Sequence, residues 1–174
     1  AIGTSFEQAI MKAVRGAEIS LSDLNHPKFM TMSREELLSE LHKTTDERLF
    51  AVYAALKADI SVDEIFDITK IDRWFLCKLR NLVRFERSVT GKQLSEEEYL
   101  EGMRLGYPDK VLEQYSGQAL PMHRRACFKM VDTCAAEFAA QTPYFYSTFD
   151  DLDHDEAKPF VDKSEKKRII VIGS

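Results

Sequence analysis

Apolar residues over the first hundred positions recur at three- and four-residue spacing, and strict two-residue alternation is almost absent. Phe6, Ile10, Ala13, Val14 and Ala17 fall on one helical face, and Leu49, Val52, Tyr53 and Leu56 on another. The polar punctuation agrees. Ser or Thr stands three residues before Glu at Thr4/Glu7, Ser33/Glu36, Thr44/Glu47, Ser61/Glu64 and Ser95/Glu98, with a weaker version at Thr69/Asp72. Such a pair satisfies the open N–H groups at a helix start. The spacing predicts helices over 5–18, 34–42, 45–57, 62–68, 71–88, 96–105 and 109–115, with a loop around Asn25-His26-Pro27. Further helices are expected over 122–130 and 133–140. Gly91, Gly106 and Gly117 stand where helix ends are expected.

The pattern changes after Pro143. Residues 144–149 (Tyr-Phe-Tyr-Ser-Thr-Phe) are aromatic and β-prone, and 150–156 are mostly acidic. The run Ile169-Ile170-Val171-Ile172-Gly173 reads as a buried strand entering a glycine turn, with no neighbour to pair with. The expected architecture is therefore all-α: an array of about eight to nine helices in two small subdomains, with an extended C-terminal tail ending in an orphan β-strand. The boundaries are a helical domain over 1–149 (subdomains 1–91 and 92–149), a polar linker over 150–167, and a truncated strand over 168–174. A piece of a longer protein is expected. Similar Asp-containing stretches near Asp72 and Asp132 fit either an internal duplication or chance.

The helix over 71–88 is the most informative. Ile71, Trp74, Phe75, Leu79, Leu82 and Phe85 share one sector, widened by Leu76 and Val83 to about half the circumference, where a surface helix needs about a third. Such a helix is wedged between two layers or faces a partner, and Trp74 is expected in the core. On the opposite side Arg73, Arg80, Arg84 and Arg87 form a basic stripe. Three readings stay open: a solvated face, an interface with an acidic surface, or a phosphate-binding face. A helix-turn-helix reading of 61–84 is weak. Its turn has no glycine, and Trp74 and Phe75 stand where polar base-reading groups belong.

Composition narrows the function classes. The chain has 174 residues, 44% hydrophobic and 30% charged, with a net charge of −5. That excludes a disordered chain. The apolar runs fall far short of the roughly 20 residues needed to cross a bilayer, so no membrane partner is expected. A pI near 5.5 argues against sequence-independent nucleic-acid binding. Cys77, Cys127 and Cys134 lack CxxC spacing and read as small buried hydrophobes in a reducing compartment. The four histidines are scattered without ligand spacing. Asp132 and Glu137 flank Cys134, but read as a helix cap and a first-turn acid. No nucleophile elbow or phosphate loop is present. The residues point to a structural module without catalytic, cofactor-binding or metal residues, and a stand-alone helical interaction module is the alternative.

Four segments carry a resemblance. Ala1-Ile2-Gly3-x-x-Phe6-Glu7 with Lys12-Ala13-x-Arg15-Gly16 resembles the junction after the first ATP-grasp half of the carbamoyl-phosphate synthetase large subunit. Residues Asp67 to Leu76, including Ile71-Asp72-Arg73-Trp74-Phe75-Leu76, resemble its connecting domain. Val131-Asp132-Thr133-Cys134-Ala135-Ala136-Glu137-Phe138, with Tyr144-x-Tyr146-Ser147-Thr148, is the most specific match, and Lys167 to Gly173 looks like the first strand of the second half. The resemblance implies an all-α oligomerisation domain between two ATP-grasp halves, with self-association. It makes Asp72, Trp74, Phe75, Asp132, Cys134 and Glu137 structural motif residues. It implies a cytoplasmic parent ligase of arginine or pyrimidine biosynthesis. That parent would make carbamoyl phosphate from bicarbonate, two ATP with magnesium or manganese, and ammonia from a glutaminase small subunit. The ATP, metal and bicarbonate residues would lie outside this chain. Thr4 departs from the family's common Arg, and Gln118–Lys129 is shorter than in many members.

Overall fold

The computed structural model of the protein describes residues 1–135, 137–139, 142 and 144–160. The described residues divide into two compact units, split between Arg125 and Ala126. The first unit is helical: α1 (Phe6–Gly16), α2 (Pro27–Met30), α3 (Arg34–Leu41), α4 (Arg48–Lys57), α5 (Val62–Thr69), α6 (Arg73–Val89), α7 (Glu96–Leu105) and α8 (Asp109–Ser116). The mostly helical class expected from the pattern is what the chain adopts.

Local chemistry fixes most of the boundaries. Ser33 and Ser95 form complete capping boxes with Glu36 and Glu98, and the Ser61 side chain accepts from the Glu64 N–H. Asp72 caps α6, its carboxylate accepting from the Trp74 N–H at 2.7 Å. Two expected caps shift. Ser5, not Thr4, caps α1, and α4 begins after Glu47 with no side-chain cap. The Asn25-His26-Pro27 loop contains the single turn α2, which Pro27 starts and the His26 ring caps.

Helix α6 is the spine of this unit and packs against α1, α4, α5, α7 and α8. Leu76, Leu79, Leu82, Val83, Phe85 and Val89 are buried along it. This is the helix wedged between layers that its wide apolar arc predicts. Helices α7 and α8 pack back onto α6, so no boundary falls at residue 91. Gly91, with φ +73, turns the chain after α6, and its N–H donates to the Tyr115 carbonyl in α8 at 2.8 Å. Gly102 in α7 permits the close approach of α6 and α8. A Cβ there would lie 2.8 Å from Leu112 Cδ2 and 2.9 Å from Phe85 Cζ. Gly102→Ala is therefore expected to cost about 1–3 kcal/mol by overpacking. Urea denaturation checks this, and an unchanged midpoint would show that both side chains repack freely.

The second unit corrects the sequence reading. Residues 127–130 form β1 (Cys127–Met130), not the end of a helix. It pairs antiparallel with β2 (Phe145–Thr148), the segment read as β-prone, with Cys127 opposite Thr148 and Met130 opposite Phe145. The stretch expected as a helix over 133–140 forms turns in its described residues. Ala135 takes φ +51, and the Asp132 carboxylate accepts from the Cys134 N–H at 2.8 Å, a local turn rather than a helix cap. The Glu137 N–H donates to the Cys134 carbonyl, so Glu137 is not a first-turn acid of a helix. The described residues around Asp132 form turns, so the echo between Asp72 and Asp132 does not place both at helix starts.

The acidic stretch 150–156 is not a free linker. Lys129 sits 3.5 Å from Asp151 and 3.7 Å from Glu156. Glu156 accepts from the Met130 N–H at 2.7 Å and donates its own N–H to the Phe128 carbonyl at 2.9 Å. Its carboxylate and N–H occupy groups of β1 that β2 leaves open. Residues 161–174, including the expected strand over 168–174, lie outside the described residues.

Candidate functional site

The first turn of α6 carries an aromatic cluster on the surface. Trp74 is 53% exposed and Phe75 45%, against the expectation that Trp74 is core. The left-handed Lys70 ends α5, and Asp72 starts α6 two residues later. The first α6 turn thus precedes Leu76, where burial begins. The two rings meet at 5.0 Å, and Phe6 of α1 lies 5.6 Å from Trp74 and 5.4 Å from Phe75. Lys78 sits over the Trp74 ring at 5.4 Å. These rings are ordered on one another and still present a wet apolar face.

On another side of α6, Arg80, Arg84 and Arg87 line one cavity of about 420 Å³, together with Asp59, Ser61 and Asp63. Arg87 reaches Asp59 at 2.8 Å and the Lys57 carbonyl at 2.7 Å. This hydrogen bond and its charge hold the Asp59 carboxyl below the usual carboxylate range. Arg73 is the outlier of the stripe. It pairs with Asp63 at 2.6 Å and stacks over the Phe66 ring at 3.6 Å. The structure thus brings three of the four arginines to one place.

Sequence reasoning missed a buried polar network. Glu86 of α6 is only 2% exposed. Its Oε1 accepts from the Tyr53 hydroxyl, from Tyr107 at 3.2 Å and from Asn25 at 3.3 Å. Its Oε2 accepts from Lys57 at 2.8 Å. Asn25 continues to Tyr115 at 2.6 Å, and Tyr115 donates to Asp23. The signal was present: Glu86 follows Leu82 and Val83 on the buried face, where a lone charge needs partners. Burial pushes the Tyr53, Tyr107 and Tyr115 hydroxyls far above the ordinary tyrosine range, and the negative charge of Glu86 adds to each. Every Glu86 oxygen is engaged, so the network is a structural keystone.

The family motif residues divide. Asp72 caps α6, while Trp74 and Phe75 are surface rings. Asp132, Cys134 and Glu137 belong to the turn after β1. Cys127 is buried, while Cys77 and Cys134 are half-buried, and all three are free thiols. The described residues group no three His, Cys, Asp or Glu side chains that could hold a metal ion. No described helix is long and apolar enough to cross a membrane.

A family model for the oligomerisation domain of the carbamoyl-phosphate synthetase large chain matches residues 1–130. The chain belongs to that family. Residues 1–130 cover all of α1–α8, so the oligomerisation domain is the helical unit continued into β1. The chain is 40% identical over 182 residues to the carbamoyl phosphate synthase large chain of Lachnoclostridium phytofermentans, covering 99% of this chain and 17% of that protein. It is 39% identical to the large chain of Methanobrevibacter smithii, covering 100% of this chain and 16% of that protein. It is 36% identical to the N-terminal section of the large chain of Aquifex aeolicus, covering 86% of this chain and 28% of that protein. The chain spans about a sixth of the length of the large chains it matches. The resemblance read from the motifs and the family match agree.

Proposed function

We propose that this oligomerisation domain is a non-catalytic assembly module, and that Phe6, Trp74 and Phe75 form its self-association contact. The exposed aromatic cluster carries the reading. Large rings are enriched at the desolvated centres of interfaces, and these three are already fixed on one another. The parent, on this reading, is a cytoplasmic carbamoyl-phosphate synthetase large chain of arginine or pyrimidine biosynthesis. ATP-grasp halves on either side would use bicarbonate, magnesium- or manganese-bound ATP and ammonia from a glutaminase small subunit. This domain would hold those halves and join copies of the parent, and no step of the reaction is placed on its residues.

Trp74→Ala tests the contact. A ring already half in water contributes little to the isolated fold, so the variant is expected to lose well under the roughly 3–5 kcal/mol of a buried aromatic. Sedimentation equilibrium should show wild-type self-association and its loss in Trp74→Ala and Phe75→Ala, with near-native thermal midpoints. A wild-type chain monomeric at high concentration would remove the self-association reading and assign the cluster to the flanking halves.

A further inference from the structure

We propose that the cavity between α6 and the start of α5 is a binding site for a small phosphate-class anion. Three guanidinium groups face two carboxylates there, and the carboxylates are engaged already: Asp59 by Arg87 and Asp63 by Arg73. That leaves Arg80 and Arg84 as uncompensated charge. Arg84 is exposed and makes no hydrogen bond or ion pair among the described residues. The Arg80 side chain gives one contact to Cys77 Sγ at 3.4 Å, and its Nε–H is buried without any hydrogen-bond partner. A buried orphaned donor on a cation is costly, so the Arg80 guanidinium gains by turning toward an oxyanion in the cavity.

The second wall supplies donors of another kind. Helix α5 opens at Val62 and Asp63, which line the cavity, and the first N–H groups of a helix have no intrahelical partner. The Ser61 side chain takes only the Glu64 N–H. The positive end of the α5 dipole and the guanidinium groups of α6 therefore converge from different directions. A planar carboxylate uses one fork of an arginine. A tetrahedral phosphate has oxygens for donors on several sides, which suits this arrangement. A cavity of about 420 Å³ is also roomier than one carboxylate side chain needs. The molecule as a whole carries a net charge of −5, so a local basic concavity is not a by-product of a basic surface.

The test is a calorimetric titration of the 174-residue chain with inorganic phosphate and pyrophosphate, at ionic strength held constant with chloride. Saturable binding is expected. Arg84→Gln should weaken it by about tenfold, the loss of one charge-assisted contact. Arg104→Gln, an exposed position of α7 outside this cavity, should change it far less. Arg84 is exposed, so circular dichroism should show an unchanged fold. Heat no greater than the chloride control, or saturation indifferent to Arg84→Gln, would overturn the proposal. An Arg84→Gln variant that dissociates self-associated chains without any phosphate titration would also overturn it, and would assign these arginines to protein carboxylates. Trp74→Ala leaves this cavity intact, so failure here and failure of the aromatic contact are separable.

Discussion

Glu86→Ala is expected to destabilise the helical unit by about 3–5 kcal/mol, the usual effect of removing one partner from a buried charge pair. A domain's total stability is roughly 5–15 kcal/mol, so this change takes a large share of it. The loss has a specific origin. Truncation takes the acceptor from the buried Tyr53 and Tyr107 hydroxyls, and one partner each from Asn25 and the half-buried Lys57 ammonium. Glu86→Gln keeps acceptor and shape and should cost less. Urea denaturation followed by circular dichroism distinguishes the two. An alanine variant within about 1 kcal/mol of wild type would mean that water enters and satisfies the stranded groups.

The same network makes the fold sensitive to alkali. Tyr53, Tyr107 and Tyr115 have hydroxyls raised from 10.0, chiefly by burial, with the Glu86 charge adding to all three and Asp23 adding at Tyr115. A raised acid keeps its proton in the folded chain after the unfolded chain has lost it. The contribution is therefore complete below about pH 10 and falls as pH rises beyond it. The slope is about 1.4 kcal/mol per pH unit for each tyrosine, so about 4 kcal/mol per unit for three acting together. Cooperative unfolding is expected soon above pH 10, with tyrosinate absorbance from these residues appearing together with loss of helical signal. Complete titration of all tyrosines in a chain that keeps its helices would contradict it.

Local signals made the helical part legible. Capping at Ser33, Ser61 and Ser95 and helix stops near Gly91, Gly106 and Gly117 are decided within a few residues. What failed depends on distant neighbours. Trp74 and Phe75 keep the helical period of the buried residues, and the period cannot say whether an apolar face meets the core or solvent. Cys127–Met130 is too short to choose between helix and strand. Its pairing with β2 and with Glu156 decides, and both lie well along the chain. The basic stripe was visible, but its division into a paired Arg73 and a cavity holding Arg80, Arg84 and Arg87 rests on α5 and on Asp59.

The Glu86 cluster also bears on the order in which the helical unit assembles. Its members are remote in the chain: Tyr53 is 33 residues from Glu86, Asn25 is 61 away, and Tyr115 stands 92 beyond Asp23. No local segment can satisfy the carboxylate. An intermediate that docks α4 on α6 before Tyr107 and the 23–26 loop arrive would leave Glu86 half-bonded in a drying interior. Such partly built forms are penalised, while the complete one is not. The unit therefore closes cooperatively: burying Glu86 is fully offset only when Tyr53 and Lys57 of α4, Tyr107 and Asn25 are all in place.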